Sequence, residues 1–227
     1  MNLIPKGHGH KHRGVVGIES AIVLIAFVIV AAALAFVVLN MGFATSQKAK
    51  TSIIATLGEA GSSLEISGKV FAWADTGISS IEVIGVPVKL ASGGDSVNLN
   101  QTFTAVKFVS NTVTYDDVYE GTTLGGVEDS LAAGMAQAVV DTYCTVDPIA
   151  GAGNPAATCA FVYFTVDLNG NDILDQGEHA VLAIAFTAAD LPTPLDKIKL
   201  ELIPPSGATL TVERQIPNIS SSYVDLG

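Results

Sequence analysis

The chain has 227 residues, a net charge of −11 and a mean hydropathy of +0.47. That length suits one long helix and a single domain of ordinary size. The acidic balance excludes a nucleic-acid partner, which selects basic faces.

Residues 1–13 are polar and basic, with Lys6, Lys11 and Arg13 and no acid. His8, His10 and His12 have metal-ligand chemistry. The segment nevertheless reads as a soluble basic tag kept in the cytoplasm by its positive charge, in preference to a metal site. After Gly14, Val15, Val16 and Gly17 comes Ala21 to Leu39, nineteen residues without a charge, Pro, Gly or hydroxyl. At ~1.5 Å per residue such a helix spans roughly the ~30 Å of a bilayer's hydrocarbon. A secretory signal would place its cleavage site after this run. Instead the pattern passes through Asn40-Met41-Gly42-Phe43 into a polar segment whose Ile53, Ile54 and Leu57 keep helical spacing. Residues 15–62 are therefore expected to form one helix that changes composition near Gly42. Glu19 lies at its start, where an acid suits the helix dipole. Alternatively, Glu19 sits among apolar groups and needs a cationic partner, because an unpaired buried carboxylate is costly.

From Glu65 the period changes from 3.6 to 2. Strands are expected at 68–74, 81–90, 103–109, 112–119, 160–166, 180–186, 197–203 and 209–214, the last two joined by a Pro204-Pro205-Ser206-Gly207 turn. Pro87 marks its strand as an edge or a bulge. Ser130 to Asp141 reads as a short helix. The fold class is α+β: a long apolar N-terminal helix, then an antiparallel, immunoglobulin-like β-sandwich over 63–227. Cys144 and Cys159 flank a turn-rich loop. In an exported chain they would form a disulfide worth roughly 3 kcal/mol; otherwise they are two buried thiols.

Between Asp167 and Glu178, oxygen side chains stand at places 1, 3, 5, 9 and 12 (Asp167, Asn169, Asn171, Asp175, Glu178). This is the spacing of an EF-hand calcium loop, with the Ile173 carbonyl as a further ligand. Asp172 stands where that loop has Gly, and the flanks are strands. The alternative is an Asx-rich turn using the same residues for local hydrogen bonds. Asn100 and Asn218 head N-glycosylation triplets. No catalytic set assembles: His179 is the lone histidine beyond the leader, and the paired acids Asp116-Asp117 and Glu128-Asp129 read as loop tips.

Arg13-Gly14, then VVGIESAIVLIAFVIVAAALAFVVLNMGF and the Gln47-Lys48-Ala49-Lys50 run, resemble the amino terminus of an archaeal flagellin (archaellin), a relative of type IV pilins. The resemblance covers about the first fifty residues. It implies that a prepilin-type signal peptidase removes residues 1–14, cutting between Gly14 and Val15, and that the helix stays on the mature chain. Loss of three positive charges takes the net charge from −11 to −14. The resemblance also implies transient membrane insertion, then polymerisation of the chain with itself by the archaellum assembly machinery into an extracellular swimming filament. In that filament Ala31, Ala32 and Ala35 would let helix backbones approach closely. In type IV pilins a glutamate at the place of Glu19 meets a neighbour's amino terminus. N-glycosylation at Asn100 and Asn218 accords with the family habit. Two rival readings share these features, an archaeal adhesion pilin and a membrane-anchored β-sandwich binding protein.

Overall fold

A computed structural model of the chain describes residues 13–61 and 64–227, and the chain divides near Ile54 into two compact units. Helix α1 runs Arg13–Gly61. Two of its hydroxyls bond back into the helix itself. Thr45 Oγ1 donates to the Met41 carbonyl at 2.8 Å and Thr51 Oγ1 to that of Gln47 at 2.5 Å, one turn back.

The second unit contains β1 (Leu64–Ile66), β2 (Phe71–Asp75), β3 (Ser80–Leu90), β4 (Val97–Asn98), β5 (Ala105–Val109), β6 (Thr114–Tyr115), β7 (Tyr119–Val127) and α2 (Leu131–Val140). These are followed by β8 (Cys159–Val166), β9 (Ile173–Leu174), β10 (His179–Ala185), β11 (Lys197–Ile203), β12 (Leu210–Gln215) and β13 (Tyr223–Asp225). A seven-stranded sheet has the order β13-β2-β3-β10-β8-β7, with β1 also on β3; a four-stranded sheet has the order β12-β11-β5-β6; β4 and β9 form a ribbon. The pairing is antiparallel except for β7 with β8, which run parallel and qualify the all-antiparallel expectation.

Alternation along the strands builds two cores. Ala160, Val162 and Phe164 of β8, with Leu182 and Ile184 of β10, face Val106, Phe108, Leu200 and Leu202 of the smaller sheet. The intervening Phe161, Tyr163, Val181 and Ala183 face the other way, onto Leu131, Met135 and Ala138 of α2. The central strands are thus covered on both sides, which is why they read as unbroken apolar runs. Ser130 caps α2, its hydroxyl accepting from the Ala133 N–H at 3.2 Å, and Asp141 closes it.

Two expectations need correction. Pro87 lies in a central strand, not an edge, opposite Val181 of β10; the strand is bulged, but at Glu82 and away from the proline. Its carbonyl accepts from Ser67 N–H at 2.9 Å, so its missing N–H falls on the same side. There β2 pairing has ended at Gly85 and β1 pairing begins at Val88, so the proline sits at the margin between the two partner strands and the sheet forgoes only the reciprocal bond to Ser67. The strand expected at 112–119 is divided: Thr114–Tyr115 pairs with β5, and β7 starts at Tyr119.

Candidate assembly interface and loop sites

The described side chains of α1 from Gly17 to Leu57 are all exposed. They include Ile18 (65%), Phe27 (75%), Phe36 (67%) and Leu57 (64%). Among the described residues this is the one helix long and apolar enough to cross a membrane. Glu19, Ala31, Ala32 and Ala35 share that exposure, and a Cβ added at Gly17 or Gly42 would meet nothing within 4 Å. Leucine and isoleucine side chains forgo about 1.5–3 kcal/mol each when left in water, so such a surface requires lipid or protein around it. The Gly14–Val15 bond lies in the first turn of α1. The leader histidines, His8, His10 and His12, lie outside the described residues.

The loop from Asp167 to Glu178 spans the β8–β10 hairpin and contains β9. Asp167 Oδ1 accepts from the N–H groups of Asn169 (3.0 Å) and Gly170 (2.8 Å). Asn169 Oδ1 accepts from Asn171 N–H (3.1 Å), and Asn171 Oδ1 from Ile173 N–H (2.7 Å). The Asn169 amide donates to Asp175 Oδ2 (2.6 Å). Glu178 is 1% exposed, and its two oxygens accept from Leu168 N–H (3.0 Å) and Asp175 N–H (2.8 Å), pinning both arms of the loop. Oxygen donors of the class calcium takes therefore border one loop. As placed, however, Glu178 is committed to backbone, and no three acidic or histidine side chains converge among the described residues.

Asp172, the departure from the EF-hand pattern, has its own task. It accepts from the Thr122 hydroxyl of β7 and from the Asn100 amide (3.1 Å), while its carbonyl accepts from Leu99 N–H (2.8 Å). The loop is thereby tied to β7 and to the turn carrying the first glycosylation triplet. Half-buried Asn100 has its amide in use; Asn218 is exposed. Cys144 and Cys159 are joined by a disulfide across 15 residues, with Cα atoms 5.8 Å apart.

Sequence reasoning missed a cavity of about 360 Å³ lined by Trp73, Asp75, Glu82, Ile149, Asn154 and Ser222. Its signal was Glu82, one charge within the apolar run of β3.

The archaeal-type flagellin family model matches residues 14–214. The chain is 37% identical over 212 residues to probable flagellin 1 of Aeropyrum pernix, covering 91% of this chain and 93% of that one. In fold it is similar to a subunit in the structure of the archaeal flagellum of Methanospirillum hungatei, with a TM-score of 0.60, 21% identity, and 92% and 98% of the two chains covered. It is likewise similar to flagellin FlaB1 of Methanocaldococcus jannaschii, with a TM-score of 0.58, 14% identity, and 73% and 96% covered.

Proposed function

Because this chain belongs to the archaeal-type flagellin family, we propose that it is the structural subunit of a homopolymeric archaeal swimming filament held together through α1. The observation that carries this reading is the uncovered apolar surface of α1 between Gly17 and Leu57. Side chains of neighbouring copies would supply the cover that water cannot. The alanines at 31, 32, 33 and 35 present little bulk, so backbones can approach and dispersion contacts become dense. The task is mechanical packing at the cell surface, with no catalytic step.

Before assembly the same helix would rest in the membrane, with the basic leader on the cytoplasmic side. A prepilin-type peptidase would then cut between Gly14 and Val15, and the archaellum assembly machinery would receive the shortened chain. The cut bond lies in the helix's first turn, where N–H groups have no intrahelical partner and opening costs little. Glu19 would then sit close to a neighbour's new amino terminus, an ion pair that lipid or a packed helix core would strengthen.

Calcium on the Asp167–Glu178 loop belongs to the same proposal. Asp167, Asn169, Asn171, Asp175 and the Ile173 carbonyl would hold it, with Glu178 exchanging a backbone partner for the ion. Glycan would be carried at exposed Asn218 in preference to Asn100.

Mass spectrometry of sheared filaments tests the reading. Subunits should begin at Val15, with added sugar mass on the Asn218 peptide. Subunits beginning at Met1 would overturn the processing step.

A further inference from the structure

Between the pairs Trp73↔Val83 and Ala74↔Ile81, β3 carries one residue more than β2, and that residue is Glu82. A bulge of this kind re-aims the extra side chain. Here Glu82 joins the wall of the cavity of about 360 Å³, between β2 and the disulfide-closed loop that supplies Pro148, Ile149 and Asn154. Glu82 is 8% exposed, and beside it in the cavity wall stands Asn154, whose amide donates to the Phe186 carbonyl at 3.3 Å. No ion pair among the described residues includes it. Burial and then the nearby Asp75 hold its pKa above the usual carboxylate range. A carboxylate kept in such a place without a cation is costly unless something positive comes to it.

We propose that this cavity binds a primary alkylammonium group, presented either by a free amine or by a lysine side chain. Glu82 would take the ammonium at the bulge, with Asp75 adding negative charge beside it. Asp75 has one oxygen committed, Oδ1 accepting from Gly77 N–H at 2.7 Å. Trp73, Pro148, Ile149 and Ile78 offer aromatic and apolar surface to an alkyl arm, and an indole face attracts the cation itself. A bare divalent cation is a poorer match. Calcium takes six to eight oxygens, and of the two carboxylates here Asp75 already has one oxygen on the Gly77 N–H. The volume lies at the small end of ligand pockets, about 300–1,000 Å³.

The lysine source has a candidate in the chain itself. Lys69, Lys89, Lys107 and Lys199 each have an acidic partner. Lys197 is exposed and is the remaining lysine of residues 64–227. Open helical assemblies join unlike patches on successive copies, so a pocket on one copy can receive a lysine from the next.

Trp73 is the chain's single tryptophan, so its emission reports the cavity directly. The full chain, monomeric in detergent, should show a saturable emission change with n-butylammonium and with N-acetyl-lysine methylamide. n-Butanol and N-acetyl-norleucine methylamide should give none. Loss of a charge-assisted hydrogen bond is worth about tenfold or more in affinity, so Glu82→Gln should weaken amine binding by at least that factor while its circular dichroism stays unchanged. The same titration on filaments separates the sources. A retained response points to a free amine. An emission already at its saturated value, made responsive by Lys197→Ala, points to the neighbour's lysine. A missing response in detergent, an equal response to the neutral analogues, an unaltered Glu82→Gln titration, or a response to calcium alone would overturn the site. None of these outcomes depends on whether α1 drives polymerisation.

Discussion

Two buried glutamates in the β unit have opposite energetics. Glu178 is fully engaged, its two oxygens each holding a backbone N–H of the hairpin loop. Hydrogen bonds to charged groups contribute about 1.5–3 kcal/mol, so Glu178→Ala should lower unfolding free energy in urea by about 2–4 kcal/mol. If calcium also binds here, a hundredfold excess over Kd should add about 2.7 kcal/mol. Chelator should then lower the melting temperature, and Asp167→Ala should remove the difference; an unchanged melt assigns the loop to hydrogen bonding alone. Glu82 is the contrary case, with burial first and Asp75 second raising its pKa. An acid whose native pKa is raised gives its full stability below the unfolded value, near 4.3, and loses it as pH rises through the native value. Glu82→Gln should therefore match the parent near pH 4 and exceed it in stability near pH 7. Parallel urea curves for the two chains across that range would check this, and the reverse trend would refute it.

At the scale of elements, α2 depends on one close approach. A Cβ at Gly134 would lie 2.6 Å from Tyr163 Cδ1, and Tyr163 is 1% exposed in the core beneath the helix. Alanine in a helix interior normally gains about 1 kcal/mol over glycine; overpacking a core costs about 1–3 kcal/mol. The steric term wins, because the ring has little room to retreat. Gly134→Ala should lower the melting temperature, and pairing it with Tyr163→Leu should recover part of the loss. A rise for the single variant would show that α2 shifts freely. Much of this layer was legible beforehand: residues 130–141 read as a short helix, and Lys197–Ile203 alternated as a strand. β7 was not, because Gly121, Gly125 and Gly126 within Tyr119–Val127 resemble loop chemistry. That strand survives by pairing in parallel with β8 through two irregularities, a long-range arrangement with no local period. Glu82 escaped notice for a related reason. Strict alternation assigns it to one face, and only the mismatch with β2 turns it into the cavity.

For the molecule as a whole, the question is which part drives assembly. Residues 55–227 form a compact unit with two apolar cores and a disulfide, enough to fold alone. α1 from Gly17 to Leu57 leaves its side chains exposed and offers a long series of residues such as Ile22, Leu24, Phe27, Leu34 and Phe36. At about 1.5–3 kcal/mol for each large side chain covered, even partial burial between copies exceeds the entropic cost of association, about 4–15 kcal/mol. A truncated chain beginning at Ser52 should therefore be soluble, β-rich and monomeric, while the processed full chain polymerises. Ala32→Asp places a charge in the middle of the apolar run, where an unpaired carboxylate is expensive in lipid and in a helix bundle alike. It should abolish filaments in electron micrographs while leaving the circular dichroism of the β unit unchanged. Ala32→Val, which adds bulk without charge, should weaken assembly without abolishing it, since close approach suffers but burial does not. If the truncated chain forms filaments of native diameter, or Ala32→Asp assembles normally, assembly is driven by the β unit and α1 serves only as an anchor.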